Sequence, residues 1–326
     1  MLTRPDANQN VLNLEGAQHL RLRGLEITGG SAGIRISGAN IRSDDDAEEI
    51  VVGIHIAHCH VHSVGGPAIT ANDPGVTYRA CVFAFNHIHD TGGEGEGFYL
   101  GGNHGTAIFS GGVIYANYIH DLNGPNVRQG DGIEIKNGSN GNRIEANVIA
   151  NTRYPGITVY GSEGRAINEI RRNLVWNSGD HGIQVAADAL VRQNTVLGSR
   201  HDGIHVQPHQ AAHPANLTIE SNVIFGSAGA AVRIRDEGQR PNRSPIVIRH
   251  NQWPTIGTAV RLEPADIAAV KDNRRIDSSS GPNRRSLQWS KPDWDIDHPA
   301  SLLFDLDAFE LALRRSVDTM RAAEKN

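Results

Sequence analysis

The stretch that decides the fold is QGDGIEIKNGSNGNRIEANVI, residues 129–149. It holds two short motifs. Gly132-Ile133-Glu134-Ile135 sets a small residue before an alternating apolar pair, and Asn147-Val148-Ile149 sets an asparagine before branched apolar residues. Alternation with period two turns Ile133 and Ile135 to one side of a strand and Glu134 to the other.

Outward from this stretch, both motifs repeat. The first recurs at Gly33-Ile34, Gly97-Phe98, Gly156-Ile157, Gly182-Ile183, Gly203-Ile204, Ala231-Val232 and Ala259-Val260, with a weaker copy at Ala68-Ile69. The second recurs at Asn86, Asn117, Asn173, Asn194, Asn222 and Asn251. One turn of chain every 21 to 35 residues or so is the period of a solenoid coil with loops of variable length. No such coil buries its apolar side alone; stacking closes a common core. One asparagine per coil at one phase predicts a file of stacked amides in a turn, and asparagine tolerates the left-handed backbone of a sharp corner.

Composition agrees. The 326 residues include 36 Gly and only 5% aromatics, which suits short strands and tight turns. No stretch between 10 and 262 keeps a helical period for long. The net charge of -5, with no basic stripe, argues against nucleic acid as a partner. No apolar run approaches the roughly 18 residues of a membrane span. Cys59 and Cys81 lie in strand-like runs and are expected to be buried thiols. The opening MLTRPDANQN carries no apolar leader segment, so no secretory address is expected from it; removal of a leader would make the periplasm or exterior the expected compartment.

The reading is therefore all-β: a right-handed parallel β-helix of about nine coils over residues 1–263. An irregular segment over 264–326 follows. Within it Leu306, Phe309, Leu313 and Val317 predict an amphipathic helix over about 305–321 that packs on or caps the solenoid. The exposed first coil is a pairing hazard, expected to be covered by residues 1–12 or by another chain.

The phrases NHIHDTGGEGEGFYLG (86–101), 129–149, YPGITVYG (154–161) and DGIHVQPHQ (202–210) resemble bacterial right-handed β-helix repeat proteins of the pectate-lyase-like superfamily. The resemblance covers roughly residues 10–262. It implies the fold and a polysaccharide or oligosaccharide partner. It does not choose among the superfamily's lyases, hydrolases, epimerases, tailspikes and adhesins.

The repeat register places outward residues side by side. One column reads Tyr99, Glu134, Thr158, Gln184, His205, Arg233, Arg261, and the column two residues on reads Lys136, Tyr160, Ala186, Gln207, Arg235. Such a face suits an anionic sugar chain. β-Elimination of a uronate needs a base for the C5 proton, a cation for the carboxylate and an acid for the leaving oxygen. Lys136 or His205 is the expected base, Tyr160 the acid, and Arg233 or Arg235 the neutraliser. Tyr99, Glu134, Gln184, Gln207, His209, His181 and Asp202 are expected to bind substrate, with Asp202 orienting His181. Glu96, Asp131 and Glu134 form an oxygen cluster suited to Ca²⁺.

Gly179-Asp180-His181-Gly182 and Arg233-Ile234-Arg235 faintly resemble polygalacturonase motifs, but that family's doubled aspartate is absent. Gln207-Pro208-His209-Gln210 resembles an epimerase motif with glutamine replacing its acid. A lyase on acidic polysaccharide is the favoured reading. The alternatives are a non-catalytic glycan-binding or structural solenoid, then a hydrolase or uronan epimerase. Apart from these, His60, His87 and Tyr118 align relative to the asparagines, as do His62, His89 and His120, with Asp90 and Asp121 next. Imidazoles so stacked could hold a transition metal or form a plain surface ladder.

Overall fold

A computed structural model describes residues 1–39, 49–236, 238, 245–254 and 257–276. Its strands assemble into three long sheets. An eleven-stranded sheet runs from Leu2–Arg4 to Arg274–Ile276. One ten-stranded sheet runs from Leu12–Glu15 to Val260–Glu263, and another from Arg21–Arg23 to Ala269–Lys271. A short fourth sheet joins Glu49–Val52, Val76–Arg79 and Ile108–Ser110. Each strand pairs in parallel with its counterpart one coil away, as Ile133 does with Phe98 and Ile157. Among the described residues the only helical element is a 3₁₀ turn, Asn103–Gly105.

The glycine-led motif forms the sheet from Leu12–Glu15 to Val260–Glu263, below called the glycine-led sheet. It has ten rungs, because Leu12–Glu15 adds one to the nine copies read from sequence. Ile34, Ile69, Phe98, Ile133, Ile157, Ile183, Ile204 and Val232 stack in one fully buried file. At six of the ten rungs glycine precedes the strand and lets neighbouring coils touch: a Cβ on Gly132 would lie 2.4 Å from the Gly156 carbonyl oxygen and 2.6 Å from Ile149. Cys59 and Cys81 are free and buried, as expected.

The asparagines are buried and joined from coil to coil. Asn147 Nδ2 donates to Asn173 Oδ1 at 3.0 Å and to the Ile114 carbonyl at 2.9 Å. The same linkage runs from Asn86 to Asn273. The left-handed corner falls one residue earlier than asparagine preference suggests. Phe85, Ala116, Ala146, Arg172, Gln193, Ser221, His250 and Asp272 have φ between 52° and 56°. The asparagine stays out of that conformation because its amide is committed to backbone groups the corner leaves unpaired. A second, shorter pair, Asn142 to Asn168, does the same at another corner and was not singled out from sequence.

Two boundary expectations change. Paired strands continue past 263: Ala269–Lys271 joins Ile246–Arg249, and Arg274–Ile276 joins Gln252–Pro254. Residues 269–271 are exposed throughout, so no burial pattern marked them in the sequence. Residues 1–12 do not cover the first coil. Leu2–Arg4 pairs with Glu26–Gly29 as the outermost strand, and Leu12 opens the first rung of the glycine-led sheet. The helix expected over 305–321 lies outside the described residues.

Candidate functional site on the glycine-led sheet

The outward column is in register as read from the repeats. Tyr99 pairs with Glu134, Glu134 with Thr158, Thr158 with Gln184, Gln184 with His205, His205 with Arg233 and Arg233 with Arg261. Parallel pairing without slippage makes this unavoidable once the inward file is packed. The chemistry divides into two centres along the column.

The first centre surrounds Glu134. Its Oε1 takes the Lys136 ammonium at 2.5 Å and the Tyr160 hydroxyl at 2.8 Å. Lys136 Nζ also stands 4.5 Å from the Tyr99 ring centroid and 5.1 Å from that of Tyr160, within cation–π range. Burial works to lower the Lys136 pKa, but the Glu134 carboxylate and then Tyr99 outweigh it and hold the ammonium above its ordinary range. A buried, ion-paired cation is a poor proton acceptor, so the geometry withdraws Lys136 as a base and leaves it as a fixed positive charge. Burial, then Glu134, raises the Tyr160 phenol, which keeps its proton.

Beneath this pair lie more carboxyls. Glu96, Asp131 and Glu134 bring one oxygen each within 4.8 Å of one another, and all three are buried. Both oxygens of Glu96 and Oε2 of Glu134 have no hydrogen-bond partner; Asp131 accepts from Thr158 at 2.5 Å. Burial and the Glu134 charge push Glu96 up to about 7, and the same two causes push Asp131 well above its usual value. Over the first centre two distant loops meet. Gln210 Oε1 accepts the His104 amide at 2.6 Å, Gln210 Nε2 donates to Asn103 at 3.0 Å, and His209 stacks on Tyr160 at 4.1 Å. The sequence motifs carry no sign of this contact, which joins residues more than a hundred positions apart.

The second centre surrounds Asp202. Its Oδ2 lies 2.8 Å from His205 Nδ1, and its Oδ1 accepts the Ala230 amide at 2.7 Å. Burial works to raise Asp202, while the bonds from His205 and Ala230 outweigh it and hold the carboxyl below its ordinary value. His181 stacks on His205 at 3.9 Å, and its Nδ1 accepts the Asp202 amide at 3.1 Å. Asp202 therefore orients His205 by its carboxylate and His181 by its backbone amide, with the same Oδ2 also 3.5 Å from His181 Nδ1. Asp180, bound to His201 at 2.7 Å, extends the group and was not foreseen as a site residue.

Beside this centre is a cavity of about 530 Å³, lined by Asp202, Gly229, Arg233, Trp253 and Arg261 among others. Arg233 and Arg261 both reach Glu263, at 2.9 and 2.7 Å. Gln207 donates to Gln184 at 3.3 Å. Arg235 is exposed at the end of its strand. Tyr160 and His205 fall two rungs apart, about 10 Å, so the structure does not bring the expected acid and base to one sugar bond.

No protein of curated function matches the sequence. A mutant tailspike protein of E. coli bacteriophage HK620, in complex with a pentasaccharide, superposes with a TM-score of 0.58 at 13% identity, covering 83% of this chain and 53% of that one. The chain thus spans about half the tailspike's length. A mutant of the periplasmic alginate epimerase AlgG gives 0.47 at 13% identity, covering 81% of this chain and 74% of that one. The pectate lyase Pel9A gives 0.45 at 14%, covering 85% and 73%. The family model described as "Right handed beta helix region" matches residues 7–189 and 129–252, most of the chain. With that match, and with three parallel sheets stacked coil on coil, the chain belongs to the right-handed β-helix family.

Proposed function

We propose that this chain binds an acidic, uronate-containing polysaccharide along the glycine-led sheet and cleaves it by β-elimination at His205. The observation that carries the reading is the Asp202–His205 pair beside a cavity whose wall holds Arg233 and Arg261. The Asp202 carboxylate accepts a hydrogen bond from Nδ1–H, which leaves Nε2 as the proton acceptor of the ring. The two guanidinium groups can exchange Glu263 for a substrate carboxylate, which acidifies C5. His205 removes the C5 proton, the C4–C5 double bond forms, and the C4–O4 bond breaks. The same imidazolium then returns the proton to O4. One side chain serving both steps suits a site where Tyr160 is two rungs away. Lys136, Tyr99, Tyr160 and His209 would bind a neighbouring sugar of the same chain.

Glu96, Asp131 and Glu134 fit Ca²⁺, since three of their oxygens lack partners and a hard cation takes oxygen ligands. The ion would anchor the first centre, beside the cation Lys136. A second reading, hydrolysis, is favoured by the raised Glu96 and Asp131 carboxyls, which hold protons a leaving oxygen could take.

The test is incubation with a panel of uronate polysaccharides, followed by ultraviolet absorbance of the new double bond and by assay of reducing ends. Absorbance that vanishes in His205→Ala supports elimination. Reducing ends without absorbance supports hydrolysis. Neither, alongside measured glycan binding, leaves a non-catalytic binder.

A further inference from the structure

The sheet that runs from Leu2–Arg4 to Arg274–Ile276 carries a second chemical cluster, apart from the face above. Its strands Glu26–Gly29, His60–His62, His87–His89 and Tyr118–Leu122 are neighbours in register. Val61, Ile88 and Ile119 point into the core with no exposure, so the flanking positions face out. One outward file reads Glu26, His60, His87, Tyr118 and the next reads Thr28, His62, His89, His120. Five imidazoles thus share one patch. Their rings stack, with centroids 4.6 Å apart for His60 and His87 and 5.2 Å for His62 and His89.

Stacking alone does not explain the edges of the rings. His89 Nδ1 meets Asp90 Oδ2 at 2.7 Å, and His120 Nδ1 meets Asp121 Oδ2 at 2.8 Å. Each carboxylate accepts a hydrogen bond from Nδ1–H, which fixes the tautomer and leaves Nε2 as a lone pair. Those lone pairs point at other rings: His60 Nε2 is 2.8 Å from His89 Nε2, and His87 Nε2 is 2.8 Å from His120 Nε2. His60, His62 and His89 offer ring nitrogens within 4.8 Å of one another, and Glu26 Oε1 is 3.4 Å from His62 Nε2. Tetrahedral ligands at 2.0–2.1 Å from an ion stand about 3.3 Å apart, inside the spread of this set.

We propose that His60, His62 and His89 bind one divalent transition-metal ion of the zinc class, with Glu26 as fourth ligand and Asp90 as the carboxylate that orients His89. Three imidazoles and one carboxylate are the donor set for such an ion. His89 also belongs to a second triad with His87 and His120. Because one ring nitrogen serves one ion, the two triads compete. The first is favoured because His87 is buried at 3% exposure, whereas His60 and His62 are half-buried and reach incoming solvent ions. A shallow groove of about 770 Å³ lined by Asp90 and Asp121 borders the patch.

The test is titration of the metal-free full chain with Co²⁺, read by its visible ligand-field bands, and with Zn²⁺, read by calorimetry. The expected result is tetrahedral Co²⁺ bands saturating at one equivalent. His89→Ala should abolish them, His60→Ala and His62→Ala should each weaken binding at least about tenfold, and Asp90→Asn should weaken it about 10- to 100-fold, the usual effect of losing an orienting carboxylate. His120→Ala should leave affinity within about threefold. Thermal melts of the metal-free variants check that each is folded, and the milder Asp90→Asn keeps the test informative if His89→Ala is not. No binding by the folded wild type overturns the proposal. So does binding that survives His89→Ala, and so does binding lost in His120→Ala but kept in His62→Ala. Because the readout needs no polysaccharide, failure here is distinct from failure of the elimination reading.

Discussion

Asp202 divides its two oxygens between a catalytic candidate and the scaffold: Oδ2 holds His205 Nδ1 at 2.8 Å, and Oδ1 accepts the Ala230 amide at 2.7 Å from the next coil. Asp202→Asn should keep the bond to Ala230 and lose the tautomer control. Turnover of a uronate polysaccharide is expected to fall by about 10²-fold or more, the scale of general-base catalysis. Ultraviolet product absorbance measures it, and unchanged turnover would remove His205 from the mechanism.

His181 predicts an acid-side pH dependence. Burial, then the charge of His205, lowers its pKa from 6.5 to about 4. The folded state therefore binds fewer protons than the unfolded state between those values, and stability rises with pH there. Thermal midpoints of the wild type should fall as pH drops from about 6.5 towards 4, and His181→Phe should flatten that part of the curve.

Glu96 predicts the opposite slope. Its folded pKa is raised to about 7, so its contribution is fully present below about 4.5 and is lost as pH rises through 7. Glu96→Gln should match the wild type near pH 5 and be the more stable of the two near pH 8, as read by thermal melts. If Ca²⁺ occupies the cluster, a calcium chelator at pH 8 should lower the wild-type midpoint and leave Glu96→Gln unmoved.

The corners predict a pair of effects with opposite sign. Asn147→Ala removes a buried amide and strands the Ile114 carbonyl and the Asn117 donor, at about 1–3 kcal/mol for each unsatisfied group. Ala146→Gly, one residue earlier at φ 56°, relieves a left-handed alanine and should stabilise by about 1 kcal/mol. Urea unfolding of the two variants measures both.

The roof over the first centre predicts a local effect. Gln210→Ala should release the 103–105 turn from the 207–213 loop, and limited proteolysis should then cut in these loops sooner. The thermal midpoint should barely move, since the contact lies outside the core.

Much of the scaffold could be read from sequence because Ile133, Ile157 and Ile183 must face inward, and parallel pairing then fixes Glu134, Thr158 and Gln184 outward in line. The same logic places Glu96 beside Asp131 and His181 beside Asp202. Register does not say which of two adjacent charges neutralises the other, so the ion pair of Lys136 with Glu134 is legible only in the structure. Loop contacts such as His104 with Gln210 obey no repeat. The last strands escaped notice because Ala269, Val270 and Lys271 are all exposed and lack the alternation that marks a buried face.

The asparagines of the buried file bond from coil to coil, whatever length of loop intervenes: 21 residues separate Asn173 from Asn194, and 31 separate Asn86 from Asn117. A coil is therefore an interchangeable cassette. Excising one whole unit between successive asparagines should rejoin compatible ends and shorten the protein by one rung. The length of the outward face becomes a quantity that gene duplication and deletion can adjust in unit steps, while loop insertions alter the walls without disturbing the count.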